Sequence, residues 1–122
     1  MLYVKYIIDI NQYKKETTMI YVIARSVLNP GCKEKFIEAA LDNIPTVREE
    51  EGCIMYDLTE DFNSGLSAQA ETDENATTFI EAWESMDHLM AHLQSSHMAK
   101  FRERITGLRK SSSLQVVSPV SR

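Results

Sequence analysis

A chain of 122 residues, with 43% hydrophobic and 25% charged side chains, has the make-up of one folded domain with one core and is too apolar for a disordered or fibrous chain. The net charge of -5, with basic residues scattered, argues against nucleic acid as a partner, because phosphate binding draws on a clustered Lys/Arg surplus. No apolar run approaches the ~20 residues of a membrane-spanning helix, so no membrane partner is expected either.

Residues 1–18 are Tyr- and Ile-rich and end in the polar run Asn11 to Thr18. Lys5 and Asp9 interrupt the apolar residues and no small-residue cleavage site follows, so this stretch is read as an appendage to a domain over 19–122 rather than an export signal. Cys32 and Cys53 stand alone, without a CxxC or Cys/His spacing. They are expected to be free thiols in a reducing cytoplasm.

Ile20 to Leu28 alternates and is rich in β-branched residues, and Asn29-Pro30-Gly31 closes it with turn chemistry, which predicts a first strand. From Lys33 to about Glu50, apolar residues at Phe36, Ile37, Ala40, Leu41, Ile44 and Val47 fall at helical spacing. Pro45 lies within that pattern and is expected to kink or end the helix; Glu49-Glu50-Glu51-Gly52 then stops it. Cys53 to Thr59 predicts a second strand, and Glu60 to Thr72 a hairpin or longer loop.

Thr77 to Trp83 predicts a third strand, with Phe79, Glu81 and Trp83 on one face by the two-residue period. Ser85 caps a helix that carries Asp87 in its first turn. Met86, Leu89, Met90 and Leu93 form one helical run and Met98, Phe101, Ile105 and Leu108 a second, parted by Gln94-Ser95-Ser96. Gly107 ends it. Leu114, Val116, Val117 and Val120 predict a fourth strand that Pro119 terminates or confines to an edge. The order β-α-β-β-α-β is a ferredoxin-like α+β arrangement. Its helix-free sheet face is expected to pair with a second copy, giving a homodimer.

No Gly-rich phosphate loop, HExxH pair, GxSxG elbow or Cys/His nucleophile motif is present, which leaves nucleotide, metal and hydrolase chemistry without sequence support. All three histidines instead fall near Glu81, Trp83 and Phe101: His88, His92 and His97. His88 and His92, four apart, share a helix face at a spacing that could chelate a metal, but without a third ligand they read as pocket or surface residues and no metal is expected. Trp83 and Phe101 read equally as core packing or as cavity walls. Glu81 reads as a general base or, more plainly, as a carboxylate engaged with a partner group.

The run from Phe79 through Glu81, Trp83, Ser85, His88, Leu89 and His97 to Phe101 resembles the E-x-W-x-S, H-L and S-x-H-x-x-x-F pattern of the antibiotic biosynthesis monooxygenase family. Met19 to Arg25, Pro30-Gly31 and Glu51 to Leu58 resemble the first half of the same family, so the likeness spans nearly all of 19–120. It implies a dimeric α/β barrel whose members oxidise quinols or polycyclic phenols with molecular oxygen and no cofactor. On that resemblance His92 is the expected base, Trp83, Tyr56 and Phe101 wall the cavity beside Glu81, and Arg25 or His97 steadies an oxyanion. Haem-degrading relatives use an Asn, a Trp and a His at positions that hold Ala24, His92 and Arg102 here, so haem is not expected. Other branches suggest an isomerase of a phosphorylated signalling-molecule breakdown product, needing Arg25, Lys100 or Arg102 in the pocket, or a stress-related binding protein without turnover.

Overall fold

The computed structural model describes residues 18–120; apart from Thr18, the expected appendage lies outside them. The elements run β1 (Ile20–Leu28), α1 (Lys33–Arg48), β2 (Cys53–Glu60), β3 (Ala76–Trp83), α2 (Met86–Leu93), α3 (Ser96–Arg104) and β4 (Arg109–Val117). This is the β-α-β-β-α-β order, with the second helix divided. The strands form one antiparallel sheet in the order β2-β3-β1-β4. β3 lies between β2 and β1, which makes a split βαβ unit.

Alternation decides what each strand gives to the core. On β1, Val22 is buried, with Ala24 and Ser26 on its face, while Tyr21, Ile23 and Arg25 point the other way. On β3, Thr77, Phe79, Glu81 and Trp83 face the helices and are all buried. α1 lays Phe36, Ala39, Ala40, Ile44 and Val47 on this face, and α2 and α3 add Leu89, Met98 and Phe101. A fully buried side chain of this kind contributes about 1.5–3 kcal/mol of hydrophobic stabilisation.

Three expectations are corrected. α1 runs through Pro45 to Arg48, because Pro45 sits on the exposed side of the helix, where water can serve the carbonyl its missing amide leaves unpaired. Leu41 belongs to that exposed side as well, at 56% exposure, rather than to the core stripe.

The third correction concerns the barrel and the homodimer through sheet faces. The sheet is open: β2 and β4 are its two edges, and four strands with ordinary twist do not bring such edges within pairing distance. β4 is exposed along nearly its whole length. Its first half, Arg109 to Ser113, is polar and meets water as an edge can, while Leu114, Val116 and Val117 in its second half are exposed. Among the described residues, no helix is long and apolar enough to cross a membrane.

The ends of the helices are set by local chemistry. Ser85 accepts from the His88 amide to cap α2, and Ser95 accepts from the Met98 amide to cap α3. The Ser95 hydroxyl also donates to the His92 carbonyl at 2.7 Å, tying the two helices together at their break. Gly52, at φ +81°, starts β2 with His88 directly above it. A β-carbon at Gly52 would come within 2.2 Å of the His88 ring, so α2 settles onto the turn only because this position has no side chain.

Candidate functional site

Between the helices and the covered sheet face is a cavity of about 80 Å³. Val22 and Ala24 from β1, Tyr56 from β2, and Phe79 and Glu81 from β3 form its floor; Phe36, Leu89, His92 and Phe101 are among the helical residues that roof it. Tyr56 and Phe79 lie 4.9 Å apart centre to centre, and Phe101 meets Phe79 edge-on at 6.3 Å. Leu114 of β4, 52% exposed, stands at the mouth.

His92 and Glu81 in this lining are buried, at 1% and 5% exposure, as are Tyr56 and Arg102. Burial drives the Glu81 carboxyl up to about 7, against the hydrogen bond from Trp83 and helped by the negative charge of Glu50. Burial also lowers the His92 pKa, partly offset by its hydrogen bond to Glu50. Both shifts favour the neutral form. At neutral pH His92 is therefore an unprotonated base, and Glu81 is poised to hold or release a proton.

Trp83 stands behind these two groups. It is fully buried, donates from Nε1 to Glu81 Oε1 at 2.9 Å and stacks 4.6 Å from the His92 ring. It braces the site without lining the cavity. On the other side, His92 Nδ1 is 2.8 Å from Glu50 Oε2, and the same oxygen is 2.9 Å from His97 Nε2.

The structure thus brings together His92, Glu81, Tyr56 and Phe101 in the cavity and places Trp83 in contact with two of them. It does not bring His97 to the lining: that side chain borders a separate hollow with Asn43, Lys100 and Arg104, and reaches the site through Glu50. Arg25 lies elsewhere. Its neighbour Ala24 faces the cavity, so alternation turns Arg25 to the opposite sheet face, where it pairs with both carboxylate oxygens of Asp61 at 2.7 and 2.9 Å. That guanidinium holds the Asp61 carboxyl down at about 2.

His88 does not join His92. Its Nδ1 is 2.7 Å from the Ser85 hydroxyl. Residues that escaped the sequence-based site include Glu50, whose only signal was a helix stop, and the lining residues Phe79, which shares the Glu81 face, and Leu89. Ala24, His92 and Arg102, matched to the haem-site positions of relatives, all line this one cavity.

Fold and site together define an α+β domain with an aromatic-walled cavity bearing one histidine and one carboxyl. A family model described as "Antibiotic biosynthesis monooxygenase" matches residues 19–104, and the chain belongs to that family. It is 35% identical over 105 residues to "Probable quinol monooxygenase YgiN" of Escherichia coli K12, covering 83% of this chain and 98% of that protein; the Shigella flexneri protein of the same name matches equally. Among solved structures, a conserved protein of unknown function from Bacteroides thetaiotaomicron superposes with a TM-score of 0.70 at 27% identity, over 84% of this chain and 99% of that one. A conserved protein from Methanosarcina mazei shares the fold at a TM-score of 0.72 and 19% identity, over 84% and 93%.

Proposed function

We propose that the protein is a monooxygenase that oxidises a small quinol with molecular oxygen at the cavity beneath α2 and α3. The observation that carries this reading is the placement, in one largely apolar cavity, of buried His92 and buried Glu81, where burial favours the neutral form of each. The family and the quinol monooxygenase relatives support the same chemistry.

The quinol ring would lie among Tyr56, Phe79 and Phe101, with one hydroxyl toward His92 and the other toward Glu81. His92 takes the hydroxyl proton, and the anion, electron-rich and held away from water, passes an electron to oxygen. Radical recombination then forms a carbon–oxygen bond. Loss of water leaves a hydroxylated quinone, so that one oxygen atom enters the substrate and the other leaves in water. All four electrons come from the substrate. The protein contributes orientation, a placed base and a dry cavity.

The cavity volume restricts the substrate. About 80 Å³ is well below the roughly 300–1,000 Å³ of drug-sized ligand pockets, and a cavity of about 150 Å³ is known to hold benzene. A one- or two-ring quinol fits only with outward movement of the mouth, where Leu114 on the edge strand has the least packing to lose. A polycyclic phenol is disfavoured. The phosphorylated-substrate alternative finds one of its candidate anchors, Arg102, in the lining, with Arg109 lining the cavity as well, while Arg25 and Lys100 stand outside it.

Oxygen uptake with menadiol tests the proposal. The protein is expected to consume oxygen faster than menadiol in buffer and to release a product heavier by one oxygen atom less two hydrogens relative to menadione's parent quinol, with label from ¹⁸O₂. Uptake at the buffer rate across a panel of one- and two-ring quinols would overturn it. Thermal stabilisation by the same quinols without uptake would assign the cavity to binding alone.

A further inference from the structure

Glu50 lies in the turn between α1 and β2, outside the cavity lining, yet one of its carboxylate oxygens serves two histidines. Oε2 is 2.8 Å from His92 Nδ1 and 2.9 Å from His97 Nε2. An ionised carboxylate only accepts hydrogen bonds, so both ring nitrogens carry their protons toward it. Ser95 agrees with this assignment. Its hydroxyl donates to the His92 carbonyl and therefore accepts from His97 Nε2, 3.2 Å away.

With the proton of neutral His92 on Nδ1, the lone pair is on Nε2, the nitrogen left for a cavity ligand. Were the proton on Nε2 instead, the ring could not take a proton from a substrate at that atom. A carboxylate on the far nitrogen also stabilises the imidazolium that forms once the proton has moved. The charged and titratable groups around His92 come from four directions: Glu50 from the α1–β2 turn, His97 and Arg102 from α3, Glu81 from β3 in the same cavity lining, and Tyr56 from β2, its ring 5.4 Å away. Glu50 raises the basicity of His92, whereas His97 and Arg102 lower it.

We propose that Glu50 is a positioning residue for His92, fixing its tautomer and strengthening it as a base, and that His97 tempers this effect by sharing the same carboxylate oxygen. The proposal rests on the role of His92 in quinol oxidation given above. His97, with a quarter of its side chain exposed, connects the arrangement to solvent. The nearest competitor is a metal site, since Glu50, His92 and His97 offer ligand atoms within 4.8 Å of one another. Two nitrogens at hydrogen-bond distance from a single oxygen favour shared protons over a shared cation.

The test uses the full chain with ¹⁵N-labelled histidine, whose ring-nitrogen shifts report tautomer and pKa without turnover. The wild-type protein is expected to show His92 protonated at Nδ1. Glu50→Gln should lower the His92 pKa by about one pH unit, and His97→Ala should raise it by a smaller amount. Oxygen uptake should follow, with kcat down at least about tenfold in Glu50→Gln, KM nearly unchanged, and partial recovery in Glu50→Asp. Two outcomes overturn the proposal. One is a His92 tautomer and pKa that stay in place in Glu50→Gln and Glu50→Asp, whatever happens to stability. The other is activity removed by a chelator and restored by zinc or iron(II), which would make the cluster a metal site. Failure of the wild-type protein to consume oxygen would defeat the quinol reading alone, because the ring-nitrogen shifts decide the Glu50 question separately.

Discussion

Glu50 and Asp61 each anchor basic side chains, and they do so on opposite sides of one sheet with opposite results. Asp61 receives a guanidinium in a two-point ion pair at a partly exposed position; the pair is closed, its charges are satisfied, and its carboxyl is held at about 2. Glu50 receives two imidazoles on a single oxygen, one of them fully buried against a cavity. The difference lies in what the partner can still do. A guanidinium keeps its charge at any accessible pH, whereas an imidazole bound through one nitrogen keeps the other for a proton. The first arrangement fastens a loop, and the second leaves a ring nitrogen facing the cavity, as the proposed base would need.

Substitutions on the two sides should break this contrast in order of size. His92→Ala removes the base and is expected to lower kcat/KM for menadiol by about 10²–10⁴-fold, measured by oxygen uptake, while product quinone still binds. An effect below threefold would mean that Glu81 or water serves as base. Glu81→Gln comes next, and acts on stability. The folded-state pKa of about 7 lies above the ordinary 4.5, so folding favours the protonated acid: no cost exists below pH 4.5, the cost grows as pH rises through 7, and it is complete above that. The glutamine variant should therefore unfold at higher denaturant than wild type at pH 8–9, by up to about 3 kcal/mol. The two curves should converge near pH 4.

Asp61→Asn should have the smallest effect. The depressed pKa stabilises the fold above pH 3.8, and this contribution is lost as pH falls toward 2. Because Arg25 is about one-third exposed, solvent screening reduces the expected loss to about 1 kcal/mol at pH 7. Oxygen uptake should be unchanged. A large loss of activity in Asp61→Asn would show that the Arg25 face communicates with the cavity and would undo the contrast.

Much of this contrast was legible in the sequence wherever it depends on local periodicity. The alternation over Thr77 to Trp83 put Phe79, Glu81 and Trp83 on one face, and that face is the cavity floor and its backing. Ser85 and the Gln94-Ser95-Ser96 break placed α2 and α3, while the choice of His92 among the three histidines came from the family resemblance. The same alternation on β1 set Ala24 and Arg25 on opposite faces, so it held the signal against Arg25 as a cavity residue; the family resemblance had drawn both toward the site.

Glu50 was different in kind. It is 42 positions from His92, in a run of three glutamates and a glycine whose local meaning is the end of a helix. Nothing in that run distinguishes the glutamate that turns inward from its neighbours. Their distinction comes from the packing of α2 over Gly52, a tertiary fact. The barrel expectation carried too far for a related reason: element order determines strand neighbours, but closure depends on strand number, and four strands leave β2 and β4 as open edges.

Trp83 is the only tryptophan in the chain, and it is sealed from solvent, hydrogen-bonded to Glu81 and stacked on His92. The protein consequently contains its own optical probe beside the proposed base. Indole emission is quenched by a protonated imidazole and by a nearby quinone, so the fluorescence of the unlabelled protein should report the charge of His92 and the arrival of product in the same signal.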